Sequence, residues 1–221
     1  MTTFVRAEAW RKSALACGIA SSLLYGWMIV FLRYDGYSRL AQVPSELTAI
    51  GAPTQSLWAV LGAFYMALIA IFGWGVWKSA RRQGSLRRTG TLLLAYAAFG
   101  LLWPFATMHQ RDVLAEGGGT LGDTLHVILG PLEVLVMFAC MAVAAGAFGA
   151  RFRIYTIVSI ILLLAFGGIT VMQAPQVSQG LPTPFIGLWE RICISGFLVW
   201  IVALAVATWR QGISQRPAVT L

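Results

Sequence analysis

The chain alternates between long apolar runs and short polar stretches. Six runs are long enough to cross a bilayer, which takes about 20 mostly apolar residues. They cover residues 13–32, 56–77, 90–108, 123–148, 153–173 and 185–209. The pattern predicts an all-α membrane protein, a six-transmembrane-helix bundle with N and C termini cytoplasmic. Residues 1–12 then form a cytoplasmic basic tail, 13–209 the transmembrane domain and 210–221 a second cytoplasmic tail. The first run lacks a small-x-small cleavage site before a soluble sequence. It is expected to stay as a helix rather than leave as a signal peptide.

Composition agrees. Hydrophobic residues make up 58% of the 221 positions and charged residues 11%, against about 25% charged in a soluble domain. Mean hydropathy is +0.76. A soluble fold of this size could not bury so much apolar surface, and a disordered chain needs low hydrophobicity. Cys17, Cys140 and Cys193 all fall inside apolar runs. They read as small buried residues rather than a disulfide framework.

The net charge of +8 would suggest nucleic acid in a soluble protein. Here the charges sort by side. With six spans, Arg6, Arg11, Lys12, Lys78, Arg81, Arg82, Arg87, Arg88, Arg151, Arg153, Arg210 and Arg216 share the side of the termini. Only Arg33, Arg39, Arg111 and Arg191 lie on the other. That bias orients the termini to the cytoplasm. The basic run 81–88 reads as a topology signal with affinity for anionic lipid, not as a nucleic-acid site. The lipid bilayer is therefore the first partner.

Small residues suggest packing seams. Ala14, Gly18, Ser22 and Gly26 are spaced by four, as are Ala59, Ala63 and Ala67. Such stripes let helix backbones approach closely. They serve intramolecular packing first, with a homo-oligomer as the other use. Pro104 and Pro131 each free the carbonyl four residues earlier, at Gly100 and Val127.

Subtracting the topology signal leaves a mixed-charge external layer. The third helix is expected to end Met108-His109-Gln110-Arg111-Asp112, and the fourth to open Asp123-Thr124-Leu125-His126. Asp123, His126, Gly130 and Glu133 span an arc of about 80° on one helix face, with Glu133 about 15 Å below Asp123. A carboxylate that deep should be paired or protonated. Glu190 and Arg191 are adjacent, so they point about 100° apart and cannot share a face.

The candidate ligand-binding set is Glu46, His109, Arg111, Asp123, His126, Glu133, Glu190 and Arg191. His109, His126 and Glu190 are the candidate catalytic groups. His109, Asp123 and His126 are candidate metal ligands, although no metal-ligand spacing compels a zinc site. Two histidines near one surface do not suit a bis-histidine haem. No His-Glu-x-x-His, Gly-x-Ser-x-Gly, Walker or Cys-x-x-Cys motif occurs. The sequence identifies no cofactor.

Four segments carry a resemblance. They are Pro44-Ser45-Glu46-Leu47-Thr48-Ala49-Ile50-Gly51-Ala52-Pro53-Thr54, the pair Met108-His109-Gln110-Arg111 and Asp123-Thr124-Leu125-His126, Arg151-Phe152-Arg153-Ile154-Tyr155, and Pro182-Thr183-Pro184-Phe185-Ile186-Gly187-Leu188-Trp189-Glu190-Arg191-Ile192. In this order the chain resembles the DUF998 family of bacterial integral membrane proteins, over about residues 34 to 209. The resemblance implies six membrane helices and a multi-pass protein of the bacterial inner membrane. It directs attention to Glu46, His109, Arg111, Asp123, His126, Glu190 and Arg191 and implies no activity.

Three function classes follow. The first is a protein that binds or moves a lipid headgroup or small polar solute at the external face, with Arg111 and Arg191 on its anionic part. The second is a membrane-embedded, metal-dependent or metal-free enzyme acting on lipid, with His109 or His126 as base and Glu46 or Glu190 orienting it. The third is a structural or accessory membrane protein whose charges lock helix ends together.

Overall fold

The computed structural model describes residues 2–80 and 82–214, with side chains from residue 10 to 211 apart from Arg81. The expected cytoplasmic charges Arg6, Glu8, Arg81 and Arg216 lie outside the described residues and side chains. Among the described residues seven α-helices form: α1 Thr2–Phe31, α2 Gln55–Ser79, α3 Gly84–Phe99, α4 Arg111–Ala115, α5 Leu121–Ala144, α6 Ala150–Ser178 and α7 Ile186–Ser214. Short 3-10 helices cover Pro44–Thr48 and Gly100–Phe105. The described residues contain no strand, only an isolated bridge between Ile50 and His109.

Among the described residues five helices are long and apolar enough to cross a membrane: Trp10–Phe31 of α1, α2, α5, α6 and Ile186–Gln211 of α7. This is a multi-pass membrane protein. The expected third span, 90–108, is the exception. Its α-helix stops at Phe99 and continues as the 3-10 segment to Phe105. The change falls at Gly100, whose carbonyl Pro104 deprives of a partner, and the tighter 3-10 ladder absorbs the loss. Residues 108–110 are therefore not helical, and Arg111 starts the separate short helix α4. The other predicted boundaries move by a few residues. α6 carries on past the expected end at 173, through Pro175, to Ser178, and α1 extends back through the expected basic tail.

The packing is a ring. α1 packs on α2, α2 on α3, α3 on α5, α5 on α6, α6 on α7, and α7 closes on α1. Small residues set the seams. A Cβ on Gly75 would sit 2.7 Å from the Ala14 Cβ, and one on Gly18 would press 2.7 Å from the Phe72 ring. Ser22 Oγ donates to the carbonyls of Gly18 and Leu198 at 2.9 and 3.0 Å. The first-helix stripe thus works inside one chain, against α2 and α7. At the α2–α3 seam, a Cβ on Gly90 would lie 2.6 Å from the Trp77 backbone nitrogen.

At one end of the ring, Gln83 hydrogen-bonds the Ala147 carbonyl and accepts from Gln211. The α2–α3 turn, the α5–α6 turn and the last turns of α7 meet there. Trp74 and Trp77 stack beside them, with Lys78 and Arg87 over the rings at 4.9 and 4.5 Å, the basic–aromatic composition of a membrane interface. The half of the ring nearest this end is solid: Phe72, Val76, Leu93, Met141 and Leu204 are fully buried.

Candidate functional site

The opposite end is capped by the loop from α1 to α2. Glu46, in its 3-10 helix, is the acid at its centre. Arg111 Nε and Nη2 donate to the two Glu46 oxygens at 2.8 and 2.7 Å. The Val43 N–H and Gln42 Nε2 donate to the same carboxylate at 2.9 and 2.8 Å. Arg111 also donates to the Ala41 carbonyl and Thr183 Oγ1, both at 2.7 Å. One bidentate pair therefore joins three connections: the α1–α2 loop, the start of α4 and the α6–α7 loop. The Glu46 side chain is 3% exposed. A pair so enclosed stands only when its remaining polar atoms are satisfied, as they are here.

Arg191 makes a second clamp. A Cβ at Gly187 would collide with the carbonyls of Gln42 and Arg39, so the loop lies directly on the first turn of α7. One turn further on, Arg191 Nη1 donates to those two carbonyls at 3.0 and 2.8 Å. Its Nε reaches the Ile29 carbonyl at 2.9 Å, one of those left open at the end of α1. Nη2 donates to the Tyr37 hydroxyl at 2.6 Å. Burial pushes the Tyr37 phenol up to about 12, against the pull of Arg191. The phenol stays protonated and donates to the Val43 carbonyl at 3.0 Å.

The third tie is His109 to Asp123. Asp123 sits at the third position of α5, where its Oδ2 accepts the Thr120 N–H at 2.8 Å, as in a capping box. It also accepts the His109 N–H and Nδ1–H at 2.7 and 2.9 Å. His126 is separate. Its Nδ1 lies 2.8 Å from the Ala106 carbonyl, which can only accept, so Nδ1 carries the proton and Nε2 is the free nitrogen. Its ring lies 5.0 Å from that of Trp103.

Beneath these ties the ring is hollow. A cavity of about 1230 Å³ runs from the α1–α2 loop and Met108 down to Ala70, Met137 and Phe197. Along α5 the lining includes Asp123, His126, Gly130, Glu133 and Met137, the face expected from their spacing, over about 20 Å. Glu190 of α7 lines it too. The wall is otherwise mostly apolar, with Tyr25, Trp58, Tyr65, Tyr96 and Trp103 among its rings. The Tyr65 and Tyr96 hydroxyls are 3.0 Å apart, and the Tyr25 ring packs 4.5 Å from that of Tyr65. Tyr96 and Trp103 share this wall with Glu133.

The candidate set therefore divides. Glu46, Arg111 and Arg191 are spent on holding loops. His109 and Asp123 tie the segment after the 3-10 turn to α5. His126, Glu133 and Glu190 face the cavity. The expectation that Arg111 and Arg191 would hold an anionic group meets guanidiniums already engaged by carbonyls, hydroxyls and Glu46. Among the described residues no three His, Cys, Asp or Glu side chains form a group able to hold a metal ion. Ala59, Ala63 and Ala67, the second small-residue stripe, line the cavity. The lining tyrosines were missed. Their signal was available, since a hydroxyl inside an apolar span needs a partner there.

No curated protein and no solved structure matches the chain. The family model described as "Protein of unknown function (DUF998)" matches residues 15–207, from α1 through α7 and so across all six helices of the ring, and the chain belongs to that family.

Proposed function

We propose that this protein binds an amphipathic ligand, a lipid or lipid-like molecule, in the cavity at the centre of its helix ring. The observation that carries this reading is the cavity itself, with apolar walls and a few polar groups at set depths. Its 1230 Å³ exceeds the usual range for small-molecule pockets, about 300–1,000 Å³. A free polar solute would leave most of that wall unmatched, whereas an acyl or isoprenoid chain would fill it. The sixth crossing is made by α3 together with its 3-10 extension. The positive charge bias puts the cavity mouth on the external face of the cytoplasmic membrane, with the packed half of the ring inward. The loop clamps serve this site by keeping its roof in place.

Native mass spectrometry of protein extracted in mild detergent tests the reading. A bound amphiphile should accompany the wild-type chain and be lost from Ala63→Phe, which pushes a ring into the cavity from α2. A wild-type chain carrying no adduct, and gaining none from a lipid extract, would remove the proposal.

A further inference from the structure

The cavity carries one sign of charge. Its lining holds Asp123, Glu133 and Glu190, and no lysine or arginine among the described residues. Asp123 is committed to His109 and Thr120. The basic ring of His126 has placed its Nδ1–H on Ala106. Glu133 and Glu190 remain, on α5 and α7, both on the wall of the same cavity. Glu133 shares that wall with Tyr96 and Trp103. Glu190 has no hydrogen bond from any described residue. Its neighbour Arg191 spends its N–H groups on the loop and α1. Glu190 is thus a half-buried carboxyl on the wall of a large, mostly apolar space, with no hydrogen-bond partner among the described residues. Such a group is costly to keep ionised in a membrane unless a counter-charge arrives.

The walls suit one kind of counter-charge. Half-buried Tyr25 and Trp103 offer ring surface to the cavity, and aromatic faces attract organic cations. A small hydrated metal ion would gain little from these walls. We infer that the cavity is a site for a hydrophobic organic cation, an ammonium or quaternary ammonium carrying apolar groups, held between Glu190 and Glu133 with aromatic rings around it. This rests on the amphiphile-binding reading and narrows it to one charge class.

The test uses the full chain in a non-ionic maltoside detergent, with protein-free micelles as background. Equilibrium dialysis compares radiolabelled tetraphenylphosphonium with tetraphenylborate, ions of matched shape and opposite charge. Saturable uptake of the cation, displaced by a long-chain alkyltrimethylammonium, is expected, without saturable uptake of the anion. Glu190→Gln and Glu133→Gln should each weaken cation binding about tenfold or more while lipid co-purification persists. Glu190→Asp should restore part of it. Equal binding of both ions, or full cation affinity in both glutamine variants, overturns the inference. The wild-type comparison of the two ions needs no variant to fold. Absence of cation binding in a chain that still carries a lipid lost from Ala63→Phe sinks the cation site and leaves the amphiphile reading standing. Absence of both sinks the two together.

Discussion

Glu46 and Arg111, 65 positions apart, form a two-point pair, with Arg111 Nε and Nη2 at 2.8 and 2.7 Å from the Glu46 oxygens. Because Glu46 is buried, deleting its partner costs more than forming the pair gains. Arg111→Ala should lower stability by about 3–5 kcal/mol, the usual penalty for stranding a buried charge. Glu46→Gln with Arg111→Met should recover much of that, because no charge is left behind. Thermal unfolding of the detergent-extracted variants reads both. A double variant no better than Arg111→Ala would mean that the pair's charge is not what the loops depend on.

Glu190 and Arg191 should behave as opposites although they are adjacent. Arg191→Lys loses the fork that reaches α1, the loop and Tyr37 together, since an ammonium is a compact point donor. It should unfold several degrees lower. Gly187→Ala should do likewise by pushing the loop off α7. Glu190→Gln removes a carboxyl with no hydrogen-bond partner among the described residues, so it should leave the unfolding temperature unchanged or raise it. A large loss of stability in Glu190→Gln would assign that residue to the scaffold.

Much of this was readable in the sequence, and the rest was hidden for physical reasons. Helix runs and the shared face of Asp123, His126 and Glu133 follow from helical period alone. So does the separation of Glu190 from Arg191. The early end of the third helix needed knowledge of how the chain repairs the gap left by Pro104. The charges at the clamped end of the ring were visible as a layer, but the choice of Glu46 for Arg111 rather than Glu190 depends on long-range folding. The Ala59 stripe was ambiguous in principle, because small residues at intervals of four serve equally to bring backbones together and to leave space between helices.

That ambiguity can be tested with paired substitutions. Gly90→Ala places a methyl 2.6 Å from the Trp77 backbone, which cannot swing away as a side chain could. It should destabilise by about 1–3 kcal/mol, the usual cost of overpacking. Gly18→Ala meets the Phe72 ring and should cost less, since a side chain has more freedom to shift. Ala63→Leu and Ala67→Leu extend into the cavity and should leave thermal stability within about 0.5 kcal/mol of wild type, while reducing the bound amphiphile. Equal destabilisation by all four would place Ala63 and Ala67 in a packed seam.

The proposed sidedness rests on where the basic residues collect. Lys78, Arg87 and Gln83 mark one end of the ring. The clamps of Arg111 and Arg191 mark the other. In a chain with Cys17, Cys140 and Cys193 replaced by alanine, single cysteines at exposed Glu116 and exposed Arg82 report the two ends. A membrane-impermeant maleimide should label Glu116→Cys in intact cells and Arg82→Cys only after permeabilisation. This tests the charge rule and the crossing by α3 together. Residue 82 precedes α3 and residue 116 follows it, so labelling of both from one side would mean that α3 and its 3-10 extension do not cross. The reverse pattern would keep all the crossings and turn the cavity mouth toward the cytoplasm, where its ligand would have to be drawn from the inner leaflet.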